Sequence, residues 1–217
     1  MRALRFTGQK LTWDYLGGGQ RQGPDALAGS SYACRMVKPS FWLRGPQVIL
    51  GAVVVLGALA ACSPAFNWRD VRPDETALSL LLPCKPDIAQ QTVPMGGRPT
   101  TLTLLGCDAG GATFAVAVAD VTTAFALAGV LGQWQAVTLA GIKAPADTTA
   151  VPFNVPGARL SPPAVRVSAL GRRGDGSAVR SQALYFAHGT QVFQVVMLSS
   201  QPAPEAEEMF FSNVRLK

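Results

Sequence analysis

Apolar and polar positions alternate over most of residues 78–121 and again over 164–199, the pattern of strands in a half-buried sheet. Leu78–Leu82 is a short apolar run stopped by Pro83. Ile88–Val93 alternates weakly and leads into Pro94-Met-Gly-Gly-Arg-Pro99, a cluster of turn-forming residues. Thr100–Cys107 has strand propensity throughout, and Asp108-Ala-Gly-Gly111 reverses the chain. Thr113–Val121 follows, with Phe114, Val116 and Val118 on one side and alanines on the other. Two such runs joined by Gly-Gly predict an antiparallel hairpin. The period then lengthens. Phe125, Leu127, Val130, Leu131, Trp134 and Val137 recur at helical spacing behind Thr123, a natural N-cap, and predict an amphipathic helix over 124–140.

Five prolines between 142 and 163 exclude a long regular element there, so that stretch is expected to cover the domain or to receive a partner. Ala164–Leu170, Ser177–Ala187 and Thr190–Ser199 read as the closing strands, joined by Gly171-Arg-Arg-Gly-Asp-Gly176 and His188-Gly189. Ala203–Phe211 reads as a short helix with Pro204 and Glu205 in its first turn, and residues 212–217 as a brief terminal strand. The fold class expected is α+β: an antiparallel sheet with a long helix and a short C-terminal helix packed on it, in one domain over 77–217.

Ahead of this domain the pattern differs. Val48–Ala61 is an uninterrupted run of fourteen apolar and small residues preceded by Lys38 and Arg44. A helix needs roughly 20 apolar residues to span a bilayer, so a single-pass anchor is the weaker reading. Positive residues, an apolar stretch and a small-residue end make the order of a secretory signal. Leu59-Ala60-Ala61-Cys62 then resembles the bacterial lipobox, in which the cysteine thiol receives a diacylglyceryl group before cleavage makes it the new N-terminus. Ser63-Pro64 argues against a helix continuing through that point. Ser63 also resembles the residue that sends such lipoproteins to the outer membrane. An ordinary signal starts within a few residues of its apolar run, whereas this one starts at position 48. Met36 opens a conventional leader, Met-Val-Lys-Pro-Ser-Phe-Trp-Leu-Arg44, so 1–35 is read as an upstream extension of the reading frame. The expected organisation is 36–61 signal peptide, 62–76 tether and 77–217 folded domain. Trp68, costly to leave in water, is expected to pack on the domain.

This division redistributes the charge. The formal net charge is +6, but residues 1–61 hold seven Lys/Arg against Asp14 and Asp25, leaving the remainder near +1. A nucleic-acid surface needs several clustered cations, so no nucleic-acid partner is expected. It also orders the cysteines. With Cys34 outside the true start and Cys62 lipidated, Cys84 and Cys107 remain as an even pair in an oxidising compartment, expected to form a disulfide. A catalytic redox pair would favour Cys-x-x-Cys, which is absent. One histidine and no cysteine knuckle leave no metal or other cofactor to expect.

Chemistry is sparse. His188 is the sole histidine and the one ready general base near neutral pH; it lies at a turn, where a solvated imidazole is the ordinary reading. No Gly-x-Ser-x-Gly elbow supports a hydrolase. Asp108, Asp120 and Asp147 lie in or beside loops and are expected to be solvated. Arg173-Gly174-Asp175 matches an adhesion tripeptide, but Gly-Asp-Gly between strands is ordinary turn material. Phe125, Leu131 and Trp134 either form core beneath the helix or line a cleft for an apolar ligand or partner.

Leu82-Pro83-Cys84-Lys85-Pro86, Thr190-Gln-Val-Phe-Gln-Val-Val-Met197 and Glu208-Met-Phe-Phe-Ser-Asn-Val-Arg-Leu216 together resemble the PsbP-like α/β/α sandwiches, over most of 78–217. The chain also resembles small lipoproteins of Gram-negative bacteria. The first resemblance implies an accessory or assembly module and supplies no active site. The expected function is therefore that of a lipid-anchored, periplasm-facing lipoprotein that binds an envelope protein partner without catalysis. A carrier or sensor of a small apolar ligand is the alternative, and an envelope hydrolase using His188 a further one.

Overall fold

The alternation in Ala112–Asp120 decides how the layers form. Its large side chains, Phe114, Val116 and Val118, enter one core, and its alanines 115, 117 and 119 enter another, so this strand is buried on both faces. The structure, a computed structural model, describes residues 2–7, 10–15, 65–121 and 127–217. Within them β1 (Arg2–Thr7) and β2 (Lys10–Tyr15) pair antiparallel with each other.

A seven-stranded antiparallel sheet forms the centre. It comprises β5 (Asp87–Met95), β6 (Arg98–Ala109), β7 (Ala112–Asp120), β8 (Ala150–Pro152), β9 (Val165–Arg172), β10 (Ala178–His188) and β11 (Gln191–Ser199). Their spatial order is β5-β6-β7-β11-β10-β9-β8. A smaller sheet, β12-β4-β3, combines β3 (Arg69–Val71), β4 (Leu78–Leu82) and β12 (Arg215–Leu216). The α+β class read from the sequence is observed, and the strands expected from 78 to 199 all form. The Pro94–Pro99 cluster is narrower than a loop. β5 and β6 run on until Met95 faces Arg98, and Gly96 and Gly97 alone turn the chain with φ of 57° and 79°. Both angles lie where side chains with a Cβ are strained, so the tight reversal requires glycine.

Helix α1 (Leu127–Gly141) lies on the alanine face. Leu127, Val130, Leu131 and Leu139 are buried there with Leu102, Leu104, Val192 and Val196. Small residues on the sheet let a helix approach closely, and its own leucines fill the space left. The expected helix began at 124; residues 122–126, including Phe125, lie outside the described residues.

The opposite face carries the larger side chains. Phe186 stacks on Phe193 at 4.9 Å, and Phe114 meets Phe210 edge-on at 5.1 Å. Helix α2 (Pro204–Ser212) brings Ala206, Phe210 and Phe211 onto this face, beside Leu78, Leu80 and Leu82 of β4. Pro204 opens α2, with Glu205 and Glu207 in the first turn, as proline's missing N–H and the helix dipole favour.

The stretch expected as a tether, 62–76, is docked from residue 65 onward. Phe66 stacks on Trp68 at 5.7 Å, both rings meet Phe114, and β3 pairs with β4. Three aromatic contacts outweigh the freedom of a short linker, because each large ring removes 150–250 Å² from water when buried. Cys62 lies outside the described residues. The proline-rich stretch 142–163 is largely a covering segment: Val155 is core, and Phe153 and Ala158 pack on it. Backbone bonds from Arg172 N–H to Ile142, and from Arg159 N–H to Ala187, pin its two ends.

Cys84 and Cys107 are joined by a disulfide, with Cα atoms 6.0 Å apart and a sequence separation of 23. Closing a loop of that length is worth about 3 kcal/mol in the chain-entropy account. Cys84→Ala/Cys107→Ala is therefore expected to lower the unfolding free energy in denaturant titration by about that amount. An unchanged midpoint would show that the crosslink contributes nothing.

Candidate functional site

The residues singled out from the sequence are scattered rather than gathered. Leu131 is buried in the core under α1, and Trp134 is half-buried with its ring edge-on to Tyr185 at 6.4 Å. Both therefore act as packing between helix and sheet, and the third member of that proposed face, Phe125, lies outside the described residues. His188 closes β10, and its Nδ1 lies 3.0 Å from the Gly157 carbonyl oxygen. A carbonyl can only accept, so in this contact Nδ1 carries a proton and donates it to Gly157. Asp120 accepts a bond from the Thr190 hydroxyl at 3.1 Å, and Asp108 one from Thr113 at 2.5 Å. Asp175 holds the Arg173-Gly174-Asp175 turn by accepting from the Ser177 N–H and hydroxyl. Among the described residues no three His, Cys, Asp or Glu side chains gather as a metal-binding set, and no helix is long and apolar enough to cross a membrane.

Two clusters were not anticipated from the sequence. Under α1, the Gln194 amide donates to the Tyr185 hydroxyl and to the Thr138 hydroxyl, both at 2.9 Å, and Thr138 donates to the Trp134 carbonyl at 3.0 Å. These bonds give the Gln194 amide N–H groups and the Tyr185 hydroxyl oxygen partners within an apolar layer, where an unpaired group costs about 1–3 kcal/mol. Burial pushes the Tyr185 hydroxyl above its ordinary pKa near 10, against the opposing hydrogen bonds from Thr138 and Gln194. The sequence signal was slight: a glutamine at the centre of an otherwise apolar strand.

The second cluster ties α2 to the sheet. Arg166 on β9 pairs with Glu207, and its guanidinium lies 4.6 Å from the Phe211 ring centre and 5.9 Å from that of Phe153. Its Nε is buried without a hydrogen-bond partner, leaving the planar group held by stacking and one carboxylate. Arginine in a strand reads as a solvated position from sequence, because its aromatic neighbours lie 13 or more residues away.

Because Tyr185 holds its proton more tightly folded than unfolded, its contribution is complete below pH 10 and is lost as pH rises through the folded pKa. Alkaline unfolding is accordingly expected to steepen above pH 10 in wild type and to be blunted in Tyr185→Phe, followed by far-UV circular dichroism. Identical alkaline curves for the two proteins would refute this assignment.

No protein-family model matches the chain, and no curated protein matches it either. A crystal structure of a Pseudomonas aeruginosa protein of unknown function, PA94, shares 15% identity and covers 65% of this chain and 88% of its own, at a TM-score of 0.28. Superposition that loose carries no argument about fold or activity.

Proposed function

We propose that this chain is a lipid-anchored envelope protein whose domain, a PsbP-like α/β/α sandwich, serves as a binding or assembly-accessory module rather than a catalyst. The observation that carries the reading is the order Lys38–Arg44, Val48–Ala61, Cys62, followed within four residues by the docking of Phe66 onto the domain. A cationic stretch, a short apolar run and small residues before a cysteine suit export and acylation. The crosslink between Cys84 and Cys107 supports an oxidising compartment. Helices on both faces of the central sheet, α1 over the alanines and α2 over the aromatics, support the sandwich reading. The non-catalytic part is supported by His188, whose Nδ1 faces a backbone carbonyl instead of the carboxylate that orients a triad histidine.

Expression with an alkyne palmitate analogue is expected to label the chain, and Cys62→Ala to abolish both the label and membrane sedimentation. Label persisting in that variant would refute the anchor. Crosslinking from intact envelopes is expected to recover a discrete partner; repeated recovery of none would sink the accessory role.

A further inference from the structure

The central sheet ends in two strands of different kinds. β8 is three residues long and closes on Pro152, the short, proline-blunted edge that resists a further strand. β5 is nine residues long and carries one charge, Asp87, at its start. Among the described residues no strand pairs with its outer side. A long edge without lysine or bulge is a template for another strand.

Register shows which groups face outward. Met95 and Arg98 flank the two-residue Gly96-Gly97 turn, so they exchange both main-chain bonds, and every second residue back from Pro94 turns outward. Those residues are Ile88, Gln90, Thr92 and Pro94. Pro94 fits this alternation, since it faces Pro99 and neither has an N–H to exchange. The outer edge therefore offers the N–H groups of Ile88, Gln90 and Thr92 and the carbonyls of all four.

That edge is complementary to itself. With a second β5 antiparallel and Gln91 opposite Gln91, Gln90 faces Thr92, Ala89 faces Val93, Ile88 faces Pro94 and Asp87 faces Met95. Gln90 and Thr92 exchange both main-chain bonds, and the Ile88 N–H reaches the Pro94 carbonyl. Ile88, 64% exposed in a single copy, gains an apolar neighbour. The two Asp87 residues stand about 27 Å apart at about 3.4 Å per residue, so they do not repel. Each lies instead in one row with Met95 and the exposed Arg98 of the other copy, about 10 Å from the arginine Cα. This register also answers an otherwise orphaned group: Gln91 Nε2 is buried with no hydrogen-bond partner. On the two-fold axis the Gln91 Cβ atoms come about 5 Å apart, which brings an amide oxygen within reach of it.

We propose that β5 pairs antiparallel with β5 of a second copy of this chain, joining two central sheets into one across a two-fold axis at Gln91. The second copy is the occupant because no like charges meet, opposite charges share a row, and the orphaned amide finds its acceptor. This inference rests on removal of the residues ahead of Cys62, since β2 otherwise lies beside β5, though unpaired with it.

Light scattering tests it on the acylated protein purified from membranes, with the detergent mass subtracted. The protein is expected at twice the mass of one chain. Thr92→Pro removes an outward N–H without touching the β6 ladder and is expected to halve that mass. Gln90→Lys/Thr92→Lys keeps every N–H but sets like charges opposite each other, and is expected to do the same. Val151→Lys, on β8, is expected to leave the mass doubled. Wild-type far-UV circular dichroism in each variant establishes that it folds. Gln91→Cys is expected to join two copies on a non-reducing gel, because facing Cα atoms lie about 4.5 Å apart there, and Asp87→Cys is not. A single-chain mass for protein that begins at acylated Cys62, or a dimer that persists in both β5 variants, would overturn this inference alone. A purified chain that retains residues ahead of Cys62 would overturn the anchor and this inference together.

Discussion

The ring of Phe114 is the contact on which the rest of the domain depends. It projects from the central strand β7, meets Phe66 and Trp68 of the entering chain, and takes Phe210 of α2 edge-on. Segments near both ends of the domain are thereby held by one side chain in the middle. A fully buried phenylalanine contributes about 3–5 kcal/mol by truncation measurements, a large share of the stability of a domain of this size. The same ring explains why the chain is ordered against the domain so soon after Cys62. A linker of a few residues gains little entropy by staying free, whereas Phe66 and Trp68 gain a ready aromatic surface.

The two faces of the sheet show a division of labour set by side-chain size. Alanines at 115, 117 and 119 admit α1 closely, and phenylalanines on the other face require the thicker cover of α2, β4 and β12. Two polar clusters enter these layers. Gln194, Tyr185 and Thr138 bond one another beneath α1, and Arg166 is held by Glu207 between two rings. Both clusters position secondary structure.

Much of this was legible in the residues themselves. Period-two alternation in 112–120 and 191–199, the Gly-Gly reversals and the helical spacing of Leu127, Val130, Leu131 and Trp134 follow from local geometry, and those elements formed where expected. The Cys84–Cys107 pairing was expected from counting cysteines once Cys34 and Cys62 were set aside, and the two are joined in the structure. What sequence could not supply were contacts between distant positions. Trp68 was expected to pack on the domain from its size, but the ring that receives it and Phe66, Phe114, lies more than 40 residues on and comes to them only in the tertiary structure. Nothing local marked Arg166 and Gln194, since Glu207, Phe211, Thr138 and Tyr185 come to them only through register and layer packing. Local propensity alone determined the elements; the tertiary structure alone decided which polar groups are satisfied and where Phe66 and Trp68 dock, because those contacts join positions far apart in the chain.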